Sequence, residues 1–386
     1  MVELRFSSRY RKMPDLGGAT TLLEVIPVEQ PLSGPFVGYD TATAPGQALS
    51  ATVETNKAKM LRGGSWLMLI LSTREADGRE HLWTTIRPRK VATEKRFMGA
   101  RGKPVKIILP GDVVCSRRTT PFVKRFKGDT DTVCPGFYNL TLATGCLGKC
   151  TWCYLQGTLR GQKFVRVYDN PWEKVQAELE AAGPGVFNCG ELADSLMVEP
   201  PLLKSAIEWF RGQEDKTLLM VAKGGMGHLL GVRPHPRAIL SASVNAVPVA
   251  QEYERKTPPP ENRLFDLNIL SYLGWRVRVR LDPVISLLGF SGAYQPICER
   301  IAEMKPERVT VGSLRPYPPV AARLPEELKR NLVRDVDGRM RYPVAWRVGT
   351  YERIAEWLGF QPALCKETRE VWDALGWDWA KCNCQE

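Results

Sequence analysis

Three cysteines within eight residues constrain this chain more than any other part of its sequence. Cys146, Cys150 and Cys153 follow the spacing C-x3-C-x2-C, and the nearest histidine along the chain is His81. A structural zinc site usually takes four ligands, often from two C-x2-C pairs. Three thiolates instead suit a [4Fe-4S] cluster in which one iron stays open to an exogenous ligand. The spacing therefore favours an iron–sulfur loop over a zinc loop or three unconnected thiols.

The residues on both sides of this loop indicate that it follows a β-strand. An apolar run from Phe137 to Thr144 precedes it, and a helical pattern begins within about twenty residues after it. Barrels of alternating strands and helices carry their chemistry on the loops at the C-terminal ends of the strands. We therefore expect the three cysteines at the C-terminal end of the first strand of such a sheet.

Strand and helix patterns alternate between residues 131 and 345. The predicted strands are Gly136–Thr144, Gly185–Cys189, Thr217–Ala222, Ala238–Val244, Trp275–Leu281 and Arg308–Gly312. The predicted helices are Pro171–Ala182, Leu202–Gln213, Glu261–Leu273 and Tyr294–Met304. Such alternation is typical of an α/β fold with a parallel sheet.

The cysteine loop and its neighbours resemble a known signature. C-x3-C-x2-C followed by an aromatic residue is similar to the motif of radical S-adenosylmethionine (SAM) enzymes. The longer string T-G-C-x3-C-x2-C-Y-L-Q, here Thr144 to Gln156, more narrowly resembles the spore photoproduct lyase family, and the resemblance extends over about residues 130 to 345. It implies a partial (β/α)6 barrel, a [4Fe-4S] cluster whose open iron binds SAM, and reductive cleavage of SAM to a 5′-deoxyadenosyl radical. It also implies an electron donor such as flavodoxin or ferredoxin.

The same resemblance assigns polar residues at successive strand ends to SAM. Glu191 would receive the SAM ammonium, and Lys223 would pair with the SAM carboxylate as a point charge. Ser243 and Asn245 would contact the ribose and carboxylate, and Tyr154, directly after the cysteines, is assigned to the same cofactor site. The alternatives are an exposed loop acid for Glu191 and local capping of the strand end for Ser243 and Asn245.

The fifth and sixth strands are expected to end near the adenine and the substrate. After the fifth strand, in the segment from Arg280 to Ile285, backbone and apolar side chains would border the adenine. After the sixth strand, Arg315 is a candidate substrate-facing cation.

The chain departs from the lyase pattern at positions that matter for its chemistry. In that family, two tyrosines flank the third cluster cysteine and form a radical relay with a cysteine after the second strand. Here Tyr154 is retained, but Trp152 takes the other position. Glu191 falls where the lyase has its cysteine, and Cys189 lies two residues earlier. Tyr154 and Cys189 are therefore the candidate hydrogen donors, and a substrate other than a thymine dimer is expected.

The charge of the chain favours a polyanionic partner. Its formal net charge is +12 and its pI is about 9.2. Cations for phosphates and aromatics for bases are a nucleic-acid-binding composition, and residues 87 to 127 combine Phe97, Phe122 and Phe126 with many cations. Those singled out as substrate contacts are Arg117, Arg118, Lys124 and Arg125. The alternative is a solvated linker whose aromatics anchor it to the next domain.

The N-terminal part reads as a separate β-rich domain. A hairpin is predicted where the turn signal Ala76–Arg79 lies between Trp66–Leu71 and His81–Ile86. The segment Ser50–Thr55 alternates in polarity, and Lys106–Leu109 predicts another strand. A small barrel or sandwich is expected. The predicted domains are residues 1–110 (β-rich), 111–130 (basic linker), 131–345 (barrel) and 346–386 (C-terminal helix and tail).

Two features of the whole sequence bear on where the protein works. The sequence contains no run of eighteen apolar residues, which a membrane span would need, and the N-terminus lacks the apolar stretch of a signal peptide. Clustered cysteines in a long chain of this kind more often bind metal or act in catalysis than form disulfides. A cytoplasmic protein with reduced cysteines and no membrane contact is expected.

The C-terminal tail carries a second group of cysteines. Cys365, Cys382 and Cys384 could hold an auxiliary iron–sulfur cluster or a zinc ion if folding brings them together. The fourth ligand would come from one of the remaining cysteines, with Cys115, Cys134 and Cys298 as the candidates. The alternative is a tail with unconnected thiols.

Three functions fit these features. The first is radical SAM chemistry on a nucleic acid or nucleobase, by lyase repair or by modification. The second is radical SAM modification of a peptide or small metabolite with help from an auxiliary cluster. The third is an iron–sulfur protein that binds nucleic acid without turnover. Glu191, Lys223 and Ser243 at successive strand ends favour an enzyme, because a purely structural cluster would not need them.

Overall fold

A computed structural model describes residues 113–126, 128, 131–159, 164–286 and 292–386, together with the backbone of strands between residues 38 and 106. Side chains are considered from residue 113 onward.

An eight-stranded curled sheet forms the centre of the described part of the chain. Seven strands run parallel, and in spatial order from one edge they are Ala363–Leu364, Arg308–Ser313, Arg276–Val284, Ala238–Val244, Lys216–Ala222, Gly185–Asn188 and Phe137–Leu140. The eighth, Val123–Phe126, pairs antiparallel with Phe137–Leu140 and forms the other edge. The sheet is the predicted partial barrel, and all six predicted strands are present. The first is interrupted after Leu140 and resumes at Ala143–Thr144, which pairs with Val165–Tyr168.

Helices cover the outer face of this sheet. The longer ones are Trp172–Ala181, Leu203–Arg211, Pro260–Tyr272, Gln295–Met304 and Val344–Leu358, with Arg369–Leu375 near the C-terminus. In Leu203–Arg211 the buried residues Leu203, Ala206, Ile207 and Phe210 recur at helical spacing, so one face packs on the core. The four predicted helices of the barrel are confirmed to within two residues at each end.

Short elements complete the described fold. The short helices are Leu155–Thr158, Ser195–Val198, Val247–Tyr253, Pro318–Ala321 and Glu326–Lys329, and Met226–Leu229 is a 3₁₀ turn. The remaining strands are Val113–Ser116, Thr132–Val133, Lys149–Cys150, Val165–Tyr168, Glu254–Arg255, Val333–Arg334, Met340–Arg341 and Glu367–Thr368.

Both edges of the sheet come from segments that the sequence indicated as lying outside the barrel. Val123–Phe126 belongs to the predicted basic linker, where Phe122 is fully buried and Phe126 stacks on Phe137 with ring centroids 4.7 Å apart. These two aromatics therefore anchor the segment to the barrel, which was the alternative interpretation. Ala363–Leu364 belongs to the predicted tail, and it pairs with the sixth parallel strand.

Near its end the chain packs into the barrel, where Asn383 and Cys384 are buried. Asn383 is 1% exposed, and its side chain donates to Ser241 Oγ and to the Val279 carbonyl, both at 2.9 Å, while its Oδ1 accepts from Thr310 Oγ1 at 2.7 Å. The buried Arg278 guanidinium donates to the carbonyls of Asn383 and Gln385. The chain end is thus held by strands that surround it.

In the N-terminal part, the predicted hairpin is confirmed. Trp66–Arg74 pairs antiparallel with Glu80–Pro88, and Thr52–Thr55 adds a third strand. Pro104–Lys106 pairs with Arg96–Met98, whereas residues 107–109 of the predicted strand lie outside the described residues. The short strands Gly38–Tyr39 and Ala48–Leu49 also pair. A barrel or sandwich for this part stays a prediction.

Among the described helices, not one combines the length and the apolar character needed to cross a membrane.

Candidate active site

A cavity of about 270 Å³ opens at the C-terminal ends of the parallel strands and continues into the barrel. Its walls include all three cysteines of the loop and residues from the ends of the second to sixth strands. This size lies near the lower end of the roughly 300–1,000 Å³ that is usual for small-molecule sites. The predicted position of the loop, at the mouth of the barrel, agrees with this placement.

Backbone geometry fixes the cysteine loop. Gly145 has φ +93°, a left-handed conformation that glycine adopts without strain, and its N–H donates to the Leu192 carbonyl at 2.9 Å. On the other side, Lys149–Cys150 pairs antiparallel with Glu254–Arg255. The Gln156 side chain donates to the Cys150 carbonyl at 2.7 Å. The loop is therefore held from the second strand, from a distant bridge and from its own short helix.

The thiols of this loop suit an iron–sulfur cluster. All three are free, and burial is the main cause that raises the pKa of each, to about 12 for Cys150. A buried thiol becomes a thiolate when a metal coordinates it. Nowhere in the described part of the chain are three or more His, Cys, Asp or Glu side chains placed to hold a single metal ion. A [4Fe-4S] cluster binds each cysteine through a different iron, so its ligands stand further apart than ligands of one ion.

Lys223 lies on the cavity wall but has a protein partner. Its Nζ is 2.7 Å from Glu254 Oε1, and Arg263 Nη1 is 2.6 Å from the other oxygen of that carboxylate. Burial acts to raise the pKa of Glu254, but the two cations outweigh it and hold that pKa below its ordinary value. The predicted role of Lys223, a cation for the SAM carboxylate, stays a prediction; its charge is balanced by Glu254, which the sequence analysis did not single out.

Glu191, Ser243 and Tyr154 line the cavity as expected. Glu191 Oε1 is 3.7 Å from Lys366 Nζ, and its side chain is 20% exposed, so it remains accessible. Burial, with the nearby Glu191 charge, raises the pKa of Tyr154 well above its ordinary value. The ring of Tyr154 lies 6.3 Å from that of Tyr317.

Two of the residues predicted to bind SAM or donate hydrogen lie outside the cavity. Asn245 is fully buried, donates to the Pro283 carbonyl at 2.8 Å and accepts from the Ala246 N–H at 2.9 Å. It therefore caps the strand end, which was the alternative interpretation, and these contacts do not favour its predicted contact with SAM. Cys189 is 2% exposed within the hydrophobic core. Its thiol is not placed to donate a hydrogen atom to a molecule in the cavity.

The fifth strand contributes charge where apolar contacts were expected. Arg280 and Asp282 both line the cavity, because alternate residues of a strand face the same side. Arg315 lines it too, and its guanidinium donates two hydrogen bonds to the Asp282 carboxylate, at 2.9 and 2.8 Å. Pro283 of the same segment also lines the cavity, so the expected border of backbone and apolar side chains around the adenine stays a prediction. The charge of Arg315 is matched by a carboxylate.

The four cations proposed as substrate contacts do not line the cavity. Arg117 is 3.5 Å from Asp169, Arg118 donates to the Tyr168 hydroxyl at 3.2 Å, and Arg125 lies 4.7 Å from the centre of the Tyr138 ring. Lys124 is exposed on the edge strand of the sheet. Three of the four therefore contact the barrel's own surface, and a role in substrate binding stays a prediction.

The tail cysteines lie in the same cavity as the loop. Cys365, Cys382 and Cys384 all line it, and so does Cys134, which was one of three candidates for a fourth ligand. The other two candidates do not line it: Cys115 is exposed, and Cys298 is buried within the helix Gln295–Met304.

Sequence signals for some of the missed residues were present. The strand Arg276–Val284 carries Arg276, Arg278, Arg280 and Asp282 at alternate positions, and this period of two indicates a charged inner face. Glu254 and Lys366 had no such signal. A long-range strand pairing brings Glu254 to the site, and a tight turn brings Lys366 there.

Residues 119–313, just over half of the 386, match the family model described as spore photoproduct lyase. The chain is 27% identical over 173 residues to the spore photoproduct lyase of Geobacillus sp. (strain Y412MC61) and 27% identical over 181 residues to that of Bacillus subtilis (strain 168). These matches cover 43% and 45% of this chain, and 51% and 53% of the relatives. The chain thus spans about half the length of the curated relatives it matches.

Solved structures show the same fold. A spore photoproduct lyase complexed with dinucleoside spore photoproduct aligns with a TM-score of 0.55 at 22% identity, over 66% of this chain and 81% of that chain. A variant lyase with bound AdoMet and dinucleoside spore photoproduct aligns with a TM-score of 0.54 at 22% identity, with the same coverage. At this identity the likeness concerns the fold alone.

Proposed function

The chain belongs to the spore photoproduct lyase family of radical SAM proteins, and from this premise we propose that it is a radical SAM enzyme acting on a nucleic acid or nucleobase. One observation carries the proposal: three free cysteines at radical SAM spacing share a cavity with Glu191 and Ser243 at the ends of successive parallel strands. A loop cluster with a merely structural role would not require such a cavity.

The loop cysteines Cys146, Cys150 and Cys153 would hold a [4Fe-4S] cluster, with its open iron facing the cavity. When bound there, the cluster would supply the electron that cleaves SAM to methionine and a 5′-deoxyadenosyl radical. An external one-electron donor such as flavodoxin or ferredoxin would be the source of that electron. The structure of a related lyase variant with bound AdoMet supports this assignment of the cofactor.

The residues of the cavity would bind and orient SAM. Glu191 offers a carboxylate for the SAM ammonium, and Ser243 offers a hydroxyl for the ribose or the carboxylate. Lys223 forms an ion pair with Glu254, which would hold the cluster loop in place. Another N–H of the Lys223 ammonium would donate to the SAM carboxylate. Arg280 and Asp282 would set the polarity of the cavity beyond SAM.

Tyr154 is the proposed hydrogen donor on this chain. It lines the cavity beside Glu191 and directly follows the cluster cysteine Cys153. Cys189 has no such access. Trp152 and Glu191 stand where the spore photoproduct lyase pattern has a tyrosine and the cysteine of its radical relay. The substrate is therefore proposed to be a lesion or modified base other than the spore photoproduct.

A nucleic-acid substrate has two supports. The related lyases bind a dinucleoside spore photoproduct, and the chain carries a net charge of +12. Lys124 and Arg125 lie exposed on the edge strand, where a phosphate backbone could reach them. Such contacts would make binding fall steeply as the salt concentration rises.

An anaerobic assay tests the proposed activity. Reconstituted protein, dithionite and SAM are expected to give 5′-deoxyadenosine, and Cys150→Ser is expected to abolish it. Cys115→Ser, at an exposed thiol outside the cavity, is the matched control and should leave the product unchanged. An intact cluster that yields no 5′-deoxyadenosine would exclude the enzyme.

A binding assay tests the substrate class. Single- and double-stranded DNA and RNA are titrated at several salt concentrations. Measurable binding at low salt that weakens with salt supports a nucleic acid. Absence of binding at low salt would point instead to a peptide or small metabolite.

A further inference from the structure

We propose that Cys134, Cys365, Cys382 and Cys384 hold a second iron–sulfur cluster, inside the barrel and in the same cavity as the loop cysteines. The inference goes beyond the proposed function, which needs only the loop cluster. It rests on four thiols from three separate segments, on the anchoring of those segments and on the arginines around them.

Strand pairing brings the first two cysteines together. Thr132–Val133 pairs antiparallel with Glu367–Thr368, with Val133 opposite Glu367, so Cys134 and Cys365 lie beside this short sheet. Cys365 itself follows the edge strand of the barrel, and its N–H donates to the Val311 carbonyl at 2.7 Å. Two cysteines that are 231 positions apart in sequence therefore face one cavity.

The buried chain end supplies the other two. Asn383 lies between them and makes hydrogen bonds to three different strands, including one from its N–H to Thr310 Oγ1 at 2.9 Å. Arg278 and Arg308 donate to the carbonyl of Gln385 at 2.5 and 2.6 Å. Side chains on either side of such an anchor have little freedom, so Cys382 and Cys384 are held in place before any metal binds.

The cavity also provides positive charge for thiolates. Arg280 Nη2 is 3.0 Å from Cys365 Sγ, and Arg315 Nη2 is 3.2 Å from the same sulfur. Hydrogen bonds to cysteine sulfur and local charge are what proteins use to tune iron–sulfur clusters. Asp282, 2.8 Å from Arg315, balances part of this charge and restrains the Arg315 guanidinium.

Simpler explanations account for less of this arrangement. Buried cysteines often serve as small apolar side chains, but apolar packing does not require two guanidinium groups on one sulfur. All four cysteines are free, so no disulfide explains the group. A zinc ion needs four sulfurs at about 2.3 Å from one point, and no group in the described residues is placed to hold a single ion. A cluster, with a separate iron for each cysteine, does not need the four sulfurs to converge on one point.

Four cysteines distinguish this centre from the loop. The loop offers three thiolates and leaves one iron open for SAM, whereas four thiolates leave no iron open. The second cluster would therefore border the cavity without binding SAM. Its neighbour Lys366 also contacts Glu191, at 3.7 Å, which links the two ends of the cavity.

The test separates the two clusters by removing the first. The variant Cys146→Ala/Cys150→Ala/Cys153→Ala, in the full chain reconstituted anaerobically with iron and sulfide, is expected to retain about four irons and four sulfides. It should still show the visible absorption of an iron–sulfur cluster, and it should form no 5′-deoxyadenosine. Iron content in this variant does not depend on whether SAM is cleaved, so failure of the proposed function leaves this readout intact.

Further variants and the unaltered chain complete the design. The unaltered chain is expected to bind about eight irons, and Cys382→Ser/Cys384→Ser about four. Cys115→Ser, the exposed control, should bind as much iron as the unaltered chain. About four irons in the unaltered chain, or no iron in the loop variant, would overturn the second cluster. Zinc in place of iron in the loop variant would overturn it as well.

Discussion

Glu254 is the buried carboxylate that joins the cluster loop to the rest of the site. Its two oxygens bind Lys223 and Arg263, and its backbone pairs with Cys150. A buried charge is tolerated when its partners are close and well aligned. With two cations and one anion, this triad leaves one positive charge next to a loop whose thiolates would be negative.

Removal of this charge should destabilise the protein. Glu254→Gln leaves Lys223 and Arg263 close together without a counter-charge, and breaking a buried ion pair by removing one partner costs about 3–5 kcal/mol. The free energy of unfolding, from urea denaturation, measures the effect. Glu252→Gln, two residues earlier and exposed, is the control and should change little. Equal stability of the two variants would show that the triad contributes nothing.

A second prediction concerns the affinity for SAM. Hydrogen bonds to charged groups contribute about 1.5–3 kcal/mol, so Glu191→Gln should raise the Kd for SAM about 10- to 100-fold. Equilibrium binding to the reconstituted protein measures it. Glu173→Gln, exposed on an outer helix, is the control. If SAM bound both variants alike, the assignment of Glu191 to the SAM ammonium would fail.

At this scale the sequence located residues better than it located their partners. Glu191, Ser243 and Tyr154, which line the cavity, were singled out because each lies at a strand end or directly after the cysteine motif. The partner of Lys223 could not be found, because Glu254 reaches it through a strand pairing between residues about a hundred positions apart in sequence. For Asn245 the sequence left two interpretations open, because a strand-end polar residue can cap the backbone as readily as bind a ligand.

At the scale of elements, the strand Arg276–Val284 and the chain end act as one unit. Glu307, just before the sixth strand, accepts from Arg276 at 2.5 Å and from Arg278 at 2.8 Å. Arg276 also donates to the Glu386 side chain at 2.7 Å. The arginines that hold the C-terminal peptide in the barrel are thus themselves held by Glu307.

This unit should make stability depend on pH. Partial burial acts to raise the pKa of Glu307, but the hydrogen bonds from Arg278 and Arg276 outweigh it and lower that pKa to about 2. A group with a lowered folded-state pKa stabilises the protein above its unfolded pKa and loses that contribution as pH falls through the folded pKa. The stabilisation should therefore be complete above about pH 5 and disappear toward pH 2.

The comparison of unaltered protein with Glu307→Gln isolates this effect. Urea midpoints measured from pH 7 down to pH 3 should differ most at neutral pH, and the difference should shrink as the pH falls. Glu303→Gln, exposed on the neighbouring helix, is the control and should follow the unaltered protein. A difference that stays constant with pH would contradict the ion-pair role of Glu307.

Element prediction from sequence worked where patterns were long. The six parallel strands and four helices were recognised because apolar residues recur over four or more positions with clear periods. The edge strand Ala363–Leu364 has only two residues, too few for any period. The edge strand Val123–Phe126 is rich in cations, which made it resemble a linker.

At the scale of the whole molecule, one cavity contains seven cysteines from four segments. The sequence indicated the two cysteine groups separately but could not show that they share a cavity, because the chain end must first enter the barrel. The burial of Asn383 is the step that brings them together. Family membership covers residues 119–313, so the matched region includes the loop cysteines and Cys134 but not the tail cysteines.

The most direct test of the central claim is electron paramagnetic resonance of the reduced cluster in the variant Cys382→Ser/Cys384→Ser, before and after SAM is added. This variant should contain only the loop cluster, with about four irons per chain. Binding of SAM to the open iron is predicted to change the signal, and Glu191→Gln in the same background should require more SAM for the same change. A reduced cluster whose signal stays the same at saturating SAM would contradict a SAM-binding cluster at Cys146, Cys150 and Cys153.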